Sequence, residues 1–417
     1  MWLLDKMMKR VVHKGELEII DAGGKRYLYG TPAGNRDRIT VRFTDNGAAN
    51  YVARHPRIGA GEAFMDGRLV IEQGDIRALI DLMRWNAAWE AKRSFRNKGP
   101  LRQAFDNAVG VAGRWNDERR SRSNVAHHYD LSADFYRLFL DSEMQYSCAY
   151  FRDPADDLET AQLAKRIHIA SKLALRPGLK VLDIGCGWGG MALWLHETFD
   201  VDVLGITLST EQLATARARA AEKGVSDRVK FELLDYRKLE GRFDRIVSVG
   251  MFEHVGRTQF RPFFAKCREL LAEDGVMLLH TIGQMGKPKP TDAFTAKYIF
   301  PGGYIPALSE IVAASQSVRL IASDTETLRR HYGYTIDHWY DRVVAHKDKI
   351  VAMYDERFYR MWTFYLAGAR AAFVHGGMCN FQIQYVRNRN ALPLTRDYML
   401  EVEARLASRP PDRKKAA

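Results

Sequence analysis

The chain predicts an α/β fold, a mostly parallel sheet covered by helices on both faces, with a smaller α+β domain ahead of it. Three observations predict it. Short apolar strands alternate with helical segments from Lys180 to Ile282, the pattern that buries a sheet between two helical layers. The first of those strands runs into a glycine-dense turn, Asp183-Ile184-Gly185-Cys186-Gly187-Trp188-Gly189-Gly190. Ahead of them, Leu17 to Ile20, Ile39 to Phe43 and Arg68 to Ile71 are β-like runs parted by Gly- and Asn-rich turns, which predict a small domain over about 15–85.

Taken in order, Lys180 to Ile184 reads as a buried strand, Gly190 to Phe199 as a helix, Val201 to Ile206 as a strand and Glu211 to Glu222 as an Ala-rich helix. Val229 to Leu234 and Phe243 to Val249 follow as strands, then a helix over about 258–272 and a strand from Gly275 to Ile282. Ligands of such sheets bind beyond the carboxyl ends of the strands. At the chain start, Leu4, Met7, Met8 and Val11 share one helical face beside Lys6, Lys9 and Arg10. That stripe suits a helix packed on its own domain or one lying in a membrane interface.

At 417 residues the chain is long enough for two domains. The divisions expected are 1–90 for membrane docking or dimerisation, 91–123 as a basic linker, 124–400 as the catalytic domain and 401–417 as a tail. Net charge is +12, and residues 1–123 carry 23 Lys+Arg against 15 Asp+Glu. Between Lys92 and Arg122 nine basic residues face only Asp106, Asp117 and Glu118. Phosphates of lipid headgroups or of nucleic acid would meet such a stretch, and so would plain solvent. No aromatic-basic RNA-recognition motif accompanies it, so nucleic acid is not the expected partner. Cys148, Cys186, Cys267 and Cys379 show neither metal-ligand nor disulfide spacing, which suits a reducing cytoplasm and implies no metal. Nowhere are there about 20 consecutive apolar residues, so no membrane span is expected.

Gly185, Gly187 and Gly190 satisfy the dinucleotide pattern G-x-G-x-x-G. A dinucleotide site expects an acid at the end of the second strand, where this chain has Thr207-Leu208-Ser209. Asp183 just before the glycines would repel a pyrophosphate, yet it suits a ligand with an ammonium and no phosphate. S-adenosylmethionine is such a ligand.

Further segments stand at other strand ends or close to the repeat: His128 to Ser132, Gln145 to Phe151, Met251 to Gly256, His280 to Gly283 and Tyr298 to Gly303. With Val181 to Gly190, and in this order and spacing, they resemble the cyclopropane-fatty-acyl-phospholipid synthases, class I S-adenosylmethionine-dependent methyltransferases, over about residues 120–395. The resemblance implies that a methylene group passes from S-adenosylmethionine to the cis double bond of an unsaturated acyl chain in phospholipid. A bicarbonate ion would take the proton that must leave, held by Cys148, Glu253, His280, Ile282 and Tyr332. The cofactor would meet Tyr129 and Ser147 at its methionine end, Asp183, Gly185 and Gly187 in the turn, Thr207 and Gln212 at the ribose, and Asp235, Tyr236 and Arg237 at the adenine. Residues about 284–330 would form a lid and acyl-pocket wall. Partners would be a phospholipid surface at the inner face of the membrane and, as an option, a second copy of the chain.

The chemistry accounts for these residue types. A carbocation in a dry pocket needs a base already beside it, and water kept out. His280 and the Tyr332 hydroxyl would donate to the anion, and Glu253 would accept its hydroxyl. Cys148 need not be a nucleophile, because the alkene is one, and it would act by side chain or backbone. Two other outcomes share this constellation or its fold: C-methylation giving methyl-branched or methylene chains, and N-methylation of a small amine.

Overall fold

The computed structural model describes residues 1–34, 36–91 and 131–408. The basic stretch Lys92 to Arg122, Tyr129 and the tail from Arg409 lie outside the described residues. The chain packs as two compact units. One comprises described residues of Met1–Gly113 with Pro290–Pro301 and Ile336–Met378, and the other those of Arg114–Lys289 with Gly302–Thr335 and Cys379–Ala417. The expected insert over 284–330 is therefore shared, since 290–301 belongs to the first unit.

In the first unit four strands, β1 (Gly15–Ile20), β2 (Arg26–Thr31), β3 (Ile39–Phe43) and β4 (Leu69–Gln73), form a sheet of order β2-β1-β3-β4. The three expected runs are β1, β3 and β4. The helix Trp2–Val11 turns Leu4 and Met8 into the core beneath this sheet, with Met7 and Val11 packed against it. Of its two sequence readings, packing on its own domain is the one observed for this face.

Behind the sheet the helices Ile76–Trp85 and Glu356–Val374 pack together around a buried carboxylate. Asp81 accepts hydrogen bonds from Arg370, from Arg36 at 2.7 Å and from His375 at 2.8 Å. Burial pushes its pKa up, but the His375 and Arg36 hydrogen bonds and the Arg370 charge hold it well below the carboxylate range. Removing one partner of so enclosed a charge costs far more than breaking a surface pair.

The second unit is built on seven strands: β5 (Lys180–Ile184), β6 (Asp202–Thr207), β7 (Val229–Leu233), β8 (Phe243–Val249), β9 (Leu271–Gln284), β10 (Ile321–Leu328) and β11 (Met378–Val386). Their order is β10-β11-β9-β8-β5-β6-β7. Pairings β5 with β6, β5 with β8, β6 with β7 and β8 with β9 are parallel, and β10 pairs antiparallel with β11. The fold class read from the sequence is thus the one observed, and β5 to β9 fall within a few residues of their expected places. Both faces are buried. Val181 joins an apolar cluster with Leu193, Ala216 and Phe231, while Leu182 and Ile184 join one with Phe263 and Phe264 on the other side.

β10 and β11 were not anticipated. β11 buries Asn380, Gln382 and Gln384 on one face and Cys379, Phe381 and Ile383 on the other, so its polar residues imitate a loop. Every other residue of β10 is exposed along most of its length.

Gly205 on β6 lies opposite Asp183. A Cβ there would come within 2.6 Å of the Phe231 ring and 2.9 Å of Cys186 Cβ. Gly205→Ala is expected to lower stability by about 1–3 kcal/mol through overpacking, read as an earlier midpoint in urea denaturation; an unchanged midpoint would show that the ring moves freely.

Candidate active site

The turn after β5 is shaped by backbone angles that favour glycine. Gly185, Gly187 and Gly189 have φ of +84°, +53° and +82°. At Gly187 a Cβ would meet nothing within 4 Å, and at Gly185 it would meet only Met251. The open side faces a cavity of about 150 Å³. Ser147, Asp183, Gly185, Gly187, Thr207 and Gln212 line it, together with Asp235, Tyr236 and Arg237. Every cofactor position expected from the sequence thus lies on one cavity, Tyr129 apart.

Local bonds set the lining. Thr207 Oγ1 donates to Gln212 Oε1 at 2.9 Å and accepts from Ser209 N at 3.2 Å, which ties the end of β6 to the helix Thr210–Glu222. Asp235 accepts from Arg237 N, Nε and Nη2 at 3.0, 2.9 and 2.5 Å. Burial raises the Asp235 pKa, yet the Arg237 hydrogen bonds outweigh it and the net shift is downward. This acid is an anion. Asp183 differs, because burial pushes it up to about 7, against the opposing charge of Lys165. Its Oδ2 is buried and has no partner among the described residues. A lone carboxylate oxygen beside an open glycine turn fits the ammonium of S-adenosylmethionine.

Lys165 was not singled out by the sequence. It lies in the helix Leu158–Leu173, fully buried, and donates to Gln145 Oε1 at 2.7 Å and Ser147 Oγ at 2.8 Å. Gln162 Nε2 in the same helix donates to the carbonyls of Gln145 and Ser147 at 3.2 and 3.0 Å. Burial lowers the Lys165 pKa to about 7, with Asp141 opposing. Only its depth distinguishes Lys165 from an ordinary surface lysine, and that depth is a tertiary property.

The expected base-site residues fall into two groups. Glu253, on the turn after β8, accepts from Ile282 N at 2.5 Å through Oε1, while its buried Oε2 has no partner among the described residues. Burial raises its pKa to about 7 despite the Ile282 hydrogen bond. That orphaned oxygen fits one hydroxyl or anion proton. His280, two residues before Ile282 on β9, has both ring nitrogens against amides of β11, Asn380 at 3.2 Å and Gln382 at 3.1 Å. In the other group, Ala149 N donates to Thr335 Oγ1 and Phe151 N to His331 Nδ1, each at 3.0 Å. These bonds dock the Cys148 segment on the helix start that carries the buried Tyr332. Burial pushes the Cys148 thiol far up, so it is a neutral thiol and no nucleophile at neutral pH.

A doubly wound sheet in which β5 delivers into a glycine turn an acid with one oxygen unpartnered among the described residues defines an S-adenosylmethionine-dependent methyltransferase of class I fold. The sequence model of the mycolic acid cyclopropane synthetase family matches residues 116–383, and the chain belongs to that family. It is 38% identical over 350 residues to the cyclopropane-fatty-acyl-phospholipid synthase of Escherichia coli K12, covering 83% of this chain and 87% of that one. It is also 38% identical over 350 residues to a probable fatty acid methyltransferase of Pseudomonas putida, covering 81% and 86%. Among solved structures, mycolic acid cyclopropane synthase CmaA1 complexed with SAH and CTAB superimposes with TM-score 0.61 at 35% identity, over 63% of this chain and 97% of that one. Coclaurine N-methyltransferase, at 18% identity and TM-score 0.65, shares the fold alone.

Because the Asp183 carboxyl is held near 7, a cationic ligand must draw a proton from it. S-adenosylhomocysteine, which keeps the ammonium, is expected to bind more tightly as pH rises from about 6 to about 8, releasing a proton at the lower end. Titration calorimetry in two buffers of different ionisation enthalpy measures that proton. Asp183→Asn should abolish the release and weaken binding ~10-fold or more; a proton release that survives the substitution would assign it elsewhere.

Proposed function

We propose that the enzyme transfers a methylene group from S-adenosylmethionine to the cis double bond of an unsaturated acyl chain in membrane phospholipid, giving a cyclopropane fatty acid. The observation that carries this reading is Glu253. Its buried oxygen, unpartnered among the described residues, belongs to a residue one position from His254 and two from Met251, both of which line the cofactor cavity. Methyl transfer to an amine calls for no enclosed proton-handling group beside the donor, whereas ring closure on carbon does. The name of the Escherichia coli relative supports the phospholipid substrate.

When bound, S-adenosylmethionine supplies an electrophilic methyl group on a sulfonium. When bound, bicarbonate supplies the base for the proton that leaves. For the first, Asp183 offers its free oxygen to the ammonium, and the glycine turn lets the ligand lie against the main chain. For the second, Glu253 Oε2 would take the hydroxyl of the anion while Ile282 N holds the carboxyl's other oxygen still. His280 and the Tyr332 hydroxyl would donate to the anion, and Cys148, neutral and buried, would close the wall. Cys148, Glu253, His280 and Tyr332 are each less than 9% exposed, which keeps out the water that would turn a cation into an alcohol.

None of the helices among the described residues is long and apolar enough to cross a membrane. A peripheral enzyme at the inner leaflet, drawn there by the positive surplus of its first 123 residues, meets the lipid without one. Attraction of this kind is screened by salt. Binding to anionic vesicles should therefore fall steeply between about 50 and about 300 mM salt in a sedimentation assay; binding that ignores salt would reject the electrostatic account.

Incubation with S-adenosylmethionine and vesicles of unsaturated anionic lipid is expected to give acyl chains heavier by one CH₂ and resistant to mild hydrogenation, by mass spectrometry. Chains that remain reducible, or that carry a methyl branch, would replace this reading with fatty-acid C-methylation, which the Pseudomonas putida relative's name favours. Glu253→Gln should lower kcat ~100-fold or more while S-adenosylhomocysteine affinity changes little. Full activity in that variant would point to a reaction with no proton to remove.

A further inference from the structure

The proposed reaction uses His280 alone of a buried polar chain. Its members are Lys172 in the helix Leu158–Leu173, Gln382 and Asn380 on β11, and His280 on β9, all at most 1% exposed. Lys172 Nζ donates to Gln382 Oε1 at 2.7 Å. Gln382 Nε2 lies 3.1 Å from His280 Nδ1, and the Asn380 amide lies 3.2 Å from His280 Nε2.

Donor and acceptor roles along this chain are fixed from one end. Lys172 also meets the Glu326 carboxylate, and Glu326 in turn meets His168 Nε2 at 2.6 Å, whose Nδ1 lies 2.5 Å from Glu403. Burial disfavours the Lys172 ammonium, and the Glu326 charge against it favours it. An ammonium only donates, so Gln382 must turn its oxygen to Lys172 and its NH₂ to His280. Nδ1 of His280 is then an acceptor and the ring proton sits on Nε2. Burial, with the charges of Lys165 and Lys172, keeps the ring from taking a second proton. An imidazole N–H needs an acceptor, and the only candidate at Nε2 among the hydrogen-bonded described residues is Asn380. Its amide must therefore present Oδ1 there, a half-turn that exchanges atoms of nearly equal scattering and shape. The same half-turn resolves the burial of Asn380 Oδ1, which otherwise has no partner among the described residues.

We propose that Lys172 and Gln382 are positioning residues that fix His280 as its neutral Nε2–H tautomer, with the ring's one donor on the side of Asn380. His280 then has no ring nitrogen left to accept the proton of the reaction. The use of that donor rests on the cyclopropanation reading, in which the Nε2–H would serve the anion that takes the proton. An N–H is the group such an anion requires, and a bare ring nitrogen would repel it.

The chain is tested without turnover. In the full protein labelled with ¹⁵N-histidine, with His280 assigned by difference from His280→Gln, the wild-type spectrum should show Nδ1 bare and Nε2 protonated, unchanged from pH about 6 to about 8.5. Gln382→Glu turns an acceptor toward Nδ1 and should move the proton there, and Lys172→Met should leave a mixture of tautomers. A wild-type ring protonated on Nδ1, or one that titrates in this range, would overturn the proposal without recourse to any variant. In the lipid assay, Gln382→Glu should lower kcat ~10–100-fold with KM for S-adenosylmethionine nearly unchanged. Unaltered kcat in that variant would remove the tautomer from the reaction. A wild-type enzyme with the expected tautomer but no lipid turnover would sink the proposed reaction and leave the tautomer assignment standing.

Discussion

The active site hangs on a buried lysine. Lys165 comes from the middle of a helix in which nearly every residue is buried, and its ammonium has two neutral acceptors, Gln145 Oε1 and Ser147 Oγ. An ammonium out of water is tolerated only when its protons are satisfied and opposite charge is near. Asp141 and Asp183 supply that charge. Satisfying Lys165 therefore pins the 145–148 segment beside the glycine turn, and it puts Ser147 on the cofactor cavity and Cys148 on its buried side. Gly190 lies against the same segment, since a Cβ there would come within 2.5 Å of the Glu143 carbonyl oxygen and 2.7 Å of Gln145 Nε2.

Two carboxyls then divide the chemistry by charge. Asp183 and Glu253 are both buried, each has an oxygen without a partner among the described residues, and burial lifts both to about 7. Both shifts are upward, so each group binds its proton more tightly folded than unfolded. The ionised forms thus destabilise the fold as pH rises from the ordinary carboxyl range toward 7, on the order of 3–4 kcal/mol each if fully expressed. Such a penalty at two strand ends is what a ligand site looks like before its ligands arrive. In the proposed reaction the neighbour decides the use: Asp183, beside the glycine turn, would take a cation, and Glu253, clamped by Ile282 N, would take a proton.

The contrast with Asp81 is instructive. That carboxylate is also buried, though less deeply, yet three cationic or imidazole donors satisfy it, and its pKa moves down. Nothing is left over for a ligand. Asp81 ties elements of the first unit together, whereas the second unit has two raised carboxyls, each with an oxygen that has no partner among the described residues.

By itself the sequence determined the α/β class, five of the seven strands and the order of the motifs, because these are local. An apolar run of five residues, a glycine that needs positive φ and an acid at a strand end are legible one segment at a time. Asp183 was named from such a segment, Ser147, Thr207, Gln212 and Asp235 from the family resemblance that the motifs carry, and all line one cavity. The tertiary structure alone decided what is buried with what. Lys165, Lys172, Asn380 and Gln382 look like surface residues in a list of letters, and the polar face of β11 hid that strand altogether. Their roles come from dehydration: a polar group shut away from water must find a partner across the fold, and its partner can lie more than 200 residues away, as Gln382 does from Lys172.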